Sequence, residues 1–348
     1  MSSPTFSGPT LYILTGPTGV GKTAYTIELA QRWQVPIISA DSRQFYREMR
    51  IGTAYPTEEE LAAAQHFFVG MLSIHDYYNV YMFEQDVLKL LGELFRKYPV
   101  VIMTGGSPQY LDAVCHGVDE MPDPDPATRQ FVINLFQHNG VEALHAQLQL
   151  LDPEYAATVN PHDSKRLMRA LEVSMQTGRP YSEQLHKKQV QRDFQIVKKY
   201  LNRPREELFD RINRRVDKMM EDGLLEEARA LYPFRDLNAL NTVGYRELFD
   251  HFDGKCTLEQ AITDIKTHTR RYAKRQLTWF KREYEELLLN SFQEGCRPDT
   301  CQPRVNEVNP GNSRVNEVNP GNSRVSAASP GTVRVRAANP DQHKRNTQ

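Results

Sequence analysis

The segment Gly16-Pro17-Thr18-Gly19-Val20-Gly21-Lys22-Thr23 constrains the fold more than any other part of this 348-residue chain. It matches G-x-x-x-x-G-K-[ST], with an apolar run at residues 11–14 before it and a helical pattern at residues 24–33 after it. Strand, glycine turn and helix in that order aim successive backbone N–H groups and a helix N-terminus at one point, which is a seat for phosphate. There Lys22 neutralises the outer phosphate and Thr23 ligates magnesium. A second apolar run, residues 35–39, ends at Asp41, and a third, residues 100–103, ends at Thr104-Gly105-Gly106 before a helical pattern over 109–115. Strands alternating with helices predict an α/β fold, a P-loop NTPase-like parallel sheet flanked by helices.

Residues 1–118 are the first part of that core. Over 119–195 the strand signals vanish: Pro122, Pro124 and Pro126 break the chain, and helical patterns follow at 127–139, 140–151 and 162–176. This stretch is expected to be an all-helical insertion domain. Residues 196–292 complete the core, with a returning strand at 195–201 and a helix over 205–221 stopped by Gly223. A last helix begins at Thr257, where Thr257 and Gln260 form a capping-box pattern; continued to Leu289 it would be about 50 Å long. Leu258, Ile265, Tyr272 and Trp279 recur on it at steps of seven, and Tyr272 and Trp279 read as core anchors. Residues 293–348 hold a ten-residue repeat with Arg304, Arg314, Arg324 and Arg334 in register. Each unit carries too little apolar area to offset the ordering of its backbone, so this tail is expected to be disordered and to do no chemistry.

Charge separates the same segments. The chain has 43 Lys+Arg against 44 Asp+Glu; after Gly295 the tail carries eight and four of these, leaving the body at about −5. A strongly basic body is excluded, which makes the six cations Arg270, Arg271, Lys274, Arg275, Lys281 and Arg282 a local patch on the last helix. The patch reads equally as a solvated helix face or as a phosphate-backbone contact. No apolar run is long enough to span a membrane and no signal peptide opens the chain, so a cytoplasmic protein with no membrane association is expected. Cys115, Cys256, Cys296 and Cys301 are too scattered for a disulfide framework and read as reduced thiols, with no second ligand pair near Cys296 and Cys301 to make a metal site.

A phosphoryl-transfer enzyme also wants an apolar strand ending in Asp to hold magnesium. The run at 100–103 ends in Thr104-Gly105-Gly106 instead. The phosphate seat is present and the hydrolytic carboxylate is missing, which favours a diphosphate-bearing substrate over triphosphate hydrolysis. Asp41 ends its strand beside the crevice where parallel sheets bind ligands. It reads equally as a general base or magnesium ligand and as a helix cap or turn residue.

Five blocks, GPTGVGKT, ISADSRQFYREMRIGTAYP, HDSKRLMRALEVSMQTGRP, TVGYRELF and TRRYAKRQLTWFKR, together resemble in order and spacing the tRNA dimethylallyltransferase family, of bacterial type. The resemblance spans residues 11–289. It implies transfer of a dimethylallyl group from dimethylallyl diphosphate to N6 of the tRNA adenosine beside the anticodon, with Mg2+ as cofactor and no stable protein partner. It also implies that Lys22, Thr23 and the loop stabilise the leaving diphosphate and that Asp41 takes the N6 proton. Arg205 and Arg211 are carried over as further diphosphate contacts. As tRNA contacts it implies Asp41, Ser42, Arg43 and Gln44; Ser107 and Arg129; Lys165, Arg166, Leu167, Met168 and Arg169; Gly244, Tyr245 and Arg246; and Lys274, Arg275, Gln276 and Trp279. The insertion is then expected to hold the anticodon stem. The sequence departs from the family at Ser107-Pro108-Gln109, where Pro108 removes an N–H, and at Tyr55-Pro56, where Lys-Pro is common. A zinc finger found in eukaryotic members is absent. Competing readings are a P-loop kinase of a nucleotide or small metabolite, a prenyltransferase acting on free adenine nucleotides, and an RNA-binding module with a vestigial loop.

Overall fold

The strands β1 (Thr10–Thr15), β2 (Ile37–Ser39), β3 (His66–Phe67), β4 (Val100–Gly105), β5 (Gln195–Asn202) and β6 (Glu285–Leu288) form one parallel sheet. From edge to edge they run β3-β2-β4-β1-β5-β6. The structure is a computed structural model describing residues 6–185 and 190–289, within a unit that covers Met1–Cys296. The repeat tail, Cys296 and Cys301 lie outside the described residues.

Both faces of the sheet are buried, so its central strands β1 and β4 are mostly apolar, with threonines near their ends. Leu11 and Ile13 pack into one cluster with Val101 and Met103, while Tyr12 and Leu14 pack into another with Val100 and Ile102. The alternation follows from the two-residue period of a strand, and register locks it, with Ile13 opposite Met103 and Thr15 opposite Gly105. The run expected to start at Val35 becomes a strand only at Ile37. Pro36 has no N–H to give, although its carbonyl still accepts from the Ile102 N–H at 3.2 Å.

The helices are α1 (Lys22–Trp33), α2 (Glu58–Ala63), α3 (Val80–Leu94), α4 (Pro108–His116), α5 (Pro126–Leu151), α6 (Pro153–Thr158), α7 (Ser164–Thr177), α8 (Tyr181–Gln184), α9 (Arg205–Glu221), α10 (Leu224–Leu231), α11 (Tyr245–Phe252) and α12 (Leu258–Phe280). None among the described residues is long and apolar enough to cross a membrane. Between β4 and β5, α5 to α8 pack around their own core of Val132, Leu144, Leu148, Leu167 and Leu171. Gly140 takes φ 80° and ψ −174°, which splits α5 at the boundary between the two sequence patterns. Both connections of the insertion meet at one buried ion pair. Arg192 Nη2 lies 2.5 Å from Glu84 Oε1, Glu84 Oε2 accepts the Val118 N–H, and Arg192 also donates to the Ala113 and Val114 carbonyls.

The last helix is corrected in two respects. It ends at Phe280, about 35 Å long at 1.5 Å per residue, and the chain turns to form β6, whose backbone pairs with β5 from Lys199–Glu285 to Asn202–Leu288. Burial of Phe280 and Tyr284 against the sheet drives that turn. Its buried face is Ala261, Ile265, Ala273, Gln276 and Phe280. A step of seven drifts about 20° per repeat on a straight helix, so a stripe that is in the core at Ile265 has rotated out by Trp279. Trp279 is exposed, with the Arg282 guanidinium 5.5 Å from its ring centroid, and Tyr272 faces a cavity. At the start of α12 only half of the capping box forms: Thr257 accepts the Gln260 N–H, while the Gln260 side chain turns to Asp264.

Candidate active site at the carboxyl edge of the sheet

Parallel strands end on one edge, so the turns after β1, β2 and β4 converge there and enclose a cavity of about 640 Å³. Thr18, Lys22 and Thr23 enter it from the glycine loop, Asp41 to Gln44 from the turn after β2, and Gly105 and Gly106 from the end of β4. Arg215 reaches in from α9, Tyr272, Arg275 and Gln276 from α12, Asn241 to Gly244 and Arg246 from the loop before and into α11, and Lys165 from the insertion. In the glycine loop Gly19 and Gly21 have φ of 82° and 104°, a left-handed backbone that side chains resist.

Two cations sit at the loop. Lys22 Nζ donates to the Gly16 and Pro17 carbonyls at 2.9 and 3.2 Å. Burial lowers its pKa to about 8, with Asp41 opposing the shift and Arg215 adding to it. The Arg215 guanidinium is also pushed down by burial against the pull of Asp41 and Glu60, and it lies 3.4 Å from the Thr18 hydroxyl. Both groups are short of negative charge, which is the electrostatic signature of a seat that expects an anion. Arg211 Nε donates to the Gly19 carbonyl at 3.0 Å and Arg203 Nε to the Val20 carbonyl at 2.8 Å, so these two arginines stiffen the loop from behind.

Asp41 acts as a turn residue through one oxygen and also presents its carboxylate to the cavity. Oδ1 accepts the Arg43 N–H at 3.1 Å and closes a turn. The carboxylate also lines the cavity, and Oδ2 lies 3.7 Å from where a Cβ on Gly106 would stand. The next three residues are braced. The Ser42 N–H donates to the Ser107 hydroxyl at 3.1 Å, Arg43 Nη1 to the Asn238 and Ala239 carbonyls at 3.1 Å each, and Gln44 Nε2 to the Ala54 carbonyl at 2.9 Å. Ser107 caps α4 and Pro108 occupies its first turn, where an N–H has no helical partner, so the Pro108 departure costs the turn nothing.

Several residues carried over as tRNA contacts are interior. Gln276 is 2 % exposed; its Oε1 accepts the Thr18 N–H at 3.0 Å and its Nε2 donates to the Gly106 carbonyl at 2.6 Å, bolting α12 to two cavity turns. Tyr272 donates to the same carbonyl at 3.1 Å, and burial pushes its hydroxyl up to about 12. Leu167 is fully buried in the insertion core and Tyr245 in the cluster under α11, because each falls on the inward side of its helix. Neither side chain is at the surface. Met168 is half-buried against the same insertion core.

The remaining candidates are spread out. Lys165, Gly244, Arg246 and Arg275 line the cavity, and Lys274 is exposed one residue before Arg275. Arg129 lies 3.1 Å and Arg169 3.6 Å from the buried Glu172, and Arg166 lies 3.4 Å from Asp163. Of the two arginines carried over as diphosphate contacts, neither is among the residues lining the cavity: Arg211 braces the glycine loop, and Arg205, about 120° around the helix axis from it, is exposed over the Phe209 ring. Sequence reading missed Arg203, Arg215 and Glu60. For Arg215 a signal existed: it follows Arg211 by four residues and so shares its face.

The cavity's donors suit a hard cation. Thr23, Asp41 and Glu60 offer oxygens, and no thiol or imidazole is among the lining residues. Elsewhere Asp112, His116 and Glu283 cluster within metal-ligand reach, but Lys198 Nζ stands 2.9 Å from His116 Nε2 and 2.6 Å from Glu283, a fixed cation in the place an ion would take.

Comparison with known proteins gives this cavity its context. A family model described as IPP transferase matches residues 44–283. The tRNA dimethylallyltransferase 1 of Phocaeicola vulgatus is 50% identical over 285 residues, 82% of this chain and 95% of that protein. The tRNA dimethylallyltransferase of Christiangramia forsetii is 50% identical over 270 residues, 78% of this chain and 89% of that protein. Among solved structures, the tRNA isopentenylpyrophosphate transferase of Bacillus halodurans aligns with a TM-score of 0.58 at 37% identity, over 81% of this chain and 90% of that one. A eukaryotic dimethylallyltransferase described as acting on tRNA aligns with a TM-score of 0.67 at 25% identity, over 84% and 76%. A matched family model over most of the chain and relatives at half identity place this protein in the IPP transferase family, the tRNA dimethylallyltransferases.

Proposed function

We propose that this protein transfers a dimethylallyl group from dimethylallyl diphosphate to N6 of adenosine 37, next to the tRNA anticodon, in the cytoplasm. The observation that carries the reading is one cavity in which the anion-poor pair Lys22 and Arg215 faces the carboxylate of Asp41. A diphosphate and a proton donor belong on those two sides.

The chemistry follows. The allylic C–O bond breaks with its electron pair going to the diphosphate, whose charge Lys22, Arg215 and the loop N–H groups stabilise as it grows. The adenine N6 lone pair closes the new C–N bond, and Asp41 accepts the proton that N6 sheds. Thr23 would hold Mg2+, which would supply further neutralising charge for the leaving group. The adenosine leaves its stack to enter the cavity, while Arg275, Arg246 and Lys165 at the cavity and Lys274 beside it meet the RNA backbone.

Incubation with labelled dimethylallyl diphosphate, magnesium and either unmodified tRNA or AMP tests the reading. Label is expected in tRNA at adenosine 37; label only in AMP, or phosphate release from ATP to a small acceptor, rejects it.

The lowered Lys22 pKa makes donor binding pH-dependent. Above about pH 8 the free enzyme holds Lys22 neutral, and a bound diphosphate, itself fully ionised there, restores the proton. The dissociation constant for dimethylallyl diphosphate should therefore rise about tenfold per pH unit between roughly pH 8 and 10. Calorimetry in buffers of different ionisation heat should show about one proton taken up at pH 9 and none at pH 7. A constant affinity across that range rules out the lysine–diphosphate contact.

A further inference from the structure

Glu227, on α10, does not line the cavity, yet it gathers donors from two of the cavity's walls. Its Oε2 accepts the N–H groups of Arg50 at 3.0 Å and Ile51 at 2.8 Å. Its Oε1 accepts the Gly52 N–H at 2.9 Å and the Tyr245 hydroxyl at 2.6 Å. Three successive backbone N–H groups around one anion form a nest, here filled by the protein's own carboxylate. The nest opens a loop whose next residues, Gly52, Thr53 and Ala54, line the cavity. Gln44 holds the far end of that loop, its Nε2 donating to the Thr53 and Ala54 carbonyls at 3.3 and 2.9 Å. Tyr245 follows directly on the cavity segment Asn241 to Gly244 and packs so closely that a Cβ on Gly52 would fall 2.6 Å from its ring. Burial and the neighbouring Glu227 raise the Tyr245 hydroxyl well above its ordinary pKa, so it stays a donor.

We propose that Glu227 is a positioning residue for the transfer, clamping the 50–54 loop to Tyr245 so that the acceptor base meets Asp41 at reacting distance. The proposal rests on the transfer reading above. Glu227 touches no substrate; it acts through Gly52 and Tyr245. Only a carboxylate suits four converging donors. An amide has one acceptor oxygen and would turn an NH2 group on at least one N–H, and Asp lacks the methylene needed to reach.

The test is Glu227→Gln in the full chain, assayed with unmodified tRNA and dimethylallyl diphosphate alongside wild type. Turnover is expected to fall by about tenfold or more, the usual consequence of a reacting pair misplaced by a fraction of an ångström. Affinity for dimethylallyl diphosphate alone is expected to stay within about twofold, because the glycine loop makes no bond to the nest. Gly52→Ala, which pushes on the same contact from the loop side, should give the same split and serves if the first variant does not fold. Wild-type turnover in either variant overturns the proposal, as does a loss of diphosphate affinity matching the loss of turnover, which would mean general collapse of the cavity. Failure of the wild-type protein to label tRNA is a separate result, and it overturns the transfer reading itself.

Discussion

Replacing Asp41 by Asn is expected to slow transfer to tRNA by about 10²- to 10⁴-fold, the range that a positioned general base contributes, with melting temperature and tRNA affinity near wild type. The substitution separates the two jobs of the side chain. An amide oxygen can still accept the Arg43 N–H that Oδ1 now accepts at 3.1 Å, so the turn that carries Ser42, Arg43 and Gln44 survives. The oxygen facing the cavity loses its basicity. A second readout comes from the cations opposite. Asp41 is the leading charge that holds Lys22 and Arg215 protonated against burial, so the pH at which donor affinity begins to fall should move below its wild-type value. Full turnover in the Asn variant would remove Asp41 from the mechanism, and an unmoved pH dependence would remove its pairing with Lys22.

Lys22→Met should lower transfer by about 10²- to 10³-fold through the loss of charge stabilisation at the departing diphosphate, without destabilising the protein at pH 7. The pKa of Lys22 is lowered to about 8 despite its two carbonyl partners, so the folded surroundings disfavour the ammonium as a whole. A folded-state value below the unfolded one, 10.5, means the charge opposes folding fully below about pH 8 and ceases to oppose it as pH rises past 10.5. The stability gained by the Met variant should therefore be present at pH 7 and shrink toward pH 10. A clear drop in melting temperature at pH 7 would contradict this account of the site.

Legibility in the sequence tracked the range of the interaction that sets each element. β1, β4, β5 and α9 are encoded locally, by apolar runs or by a 3.6-residue pattern between a proline and a glycine. β3 and β6 have two and four residues and exist because a neighbouring strand offers its edge, so no local pattern announces them. β6, with the sequence EELL, even reads as the end of a helix. The same limit applies inside the motif blocks. Contiguous residues such as Tyr245 and Arg246 share a block but point to the core and to the cavity respectively. A one-dimensional motif marks where a site is and leaves open which of its side chains face inward. Arg203 and Arg215 escaped notice for a related reason: burial of a cation depends on what folds over it.

Gln276 gives the two halves of the reaction a common yardstick. One buried amide spans the glycine loop and the Gly105-Gly106 turn, and it hangs from the helix whose outer side carries Lys274 and Arg275. On the proposed reading, the spacing between the glycine loop that would hold the leaving diphosphate and the helix face that would meet RNA is fixed inside the protein, by Gln276 together with the Tyr272 hydroxyl on the same Gly106 carbonyl. Two substrates of very different size, a five-carbon diphosphate and a folded RNA, need no contact with each other to be brought into alignment.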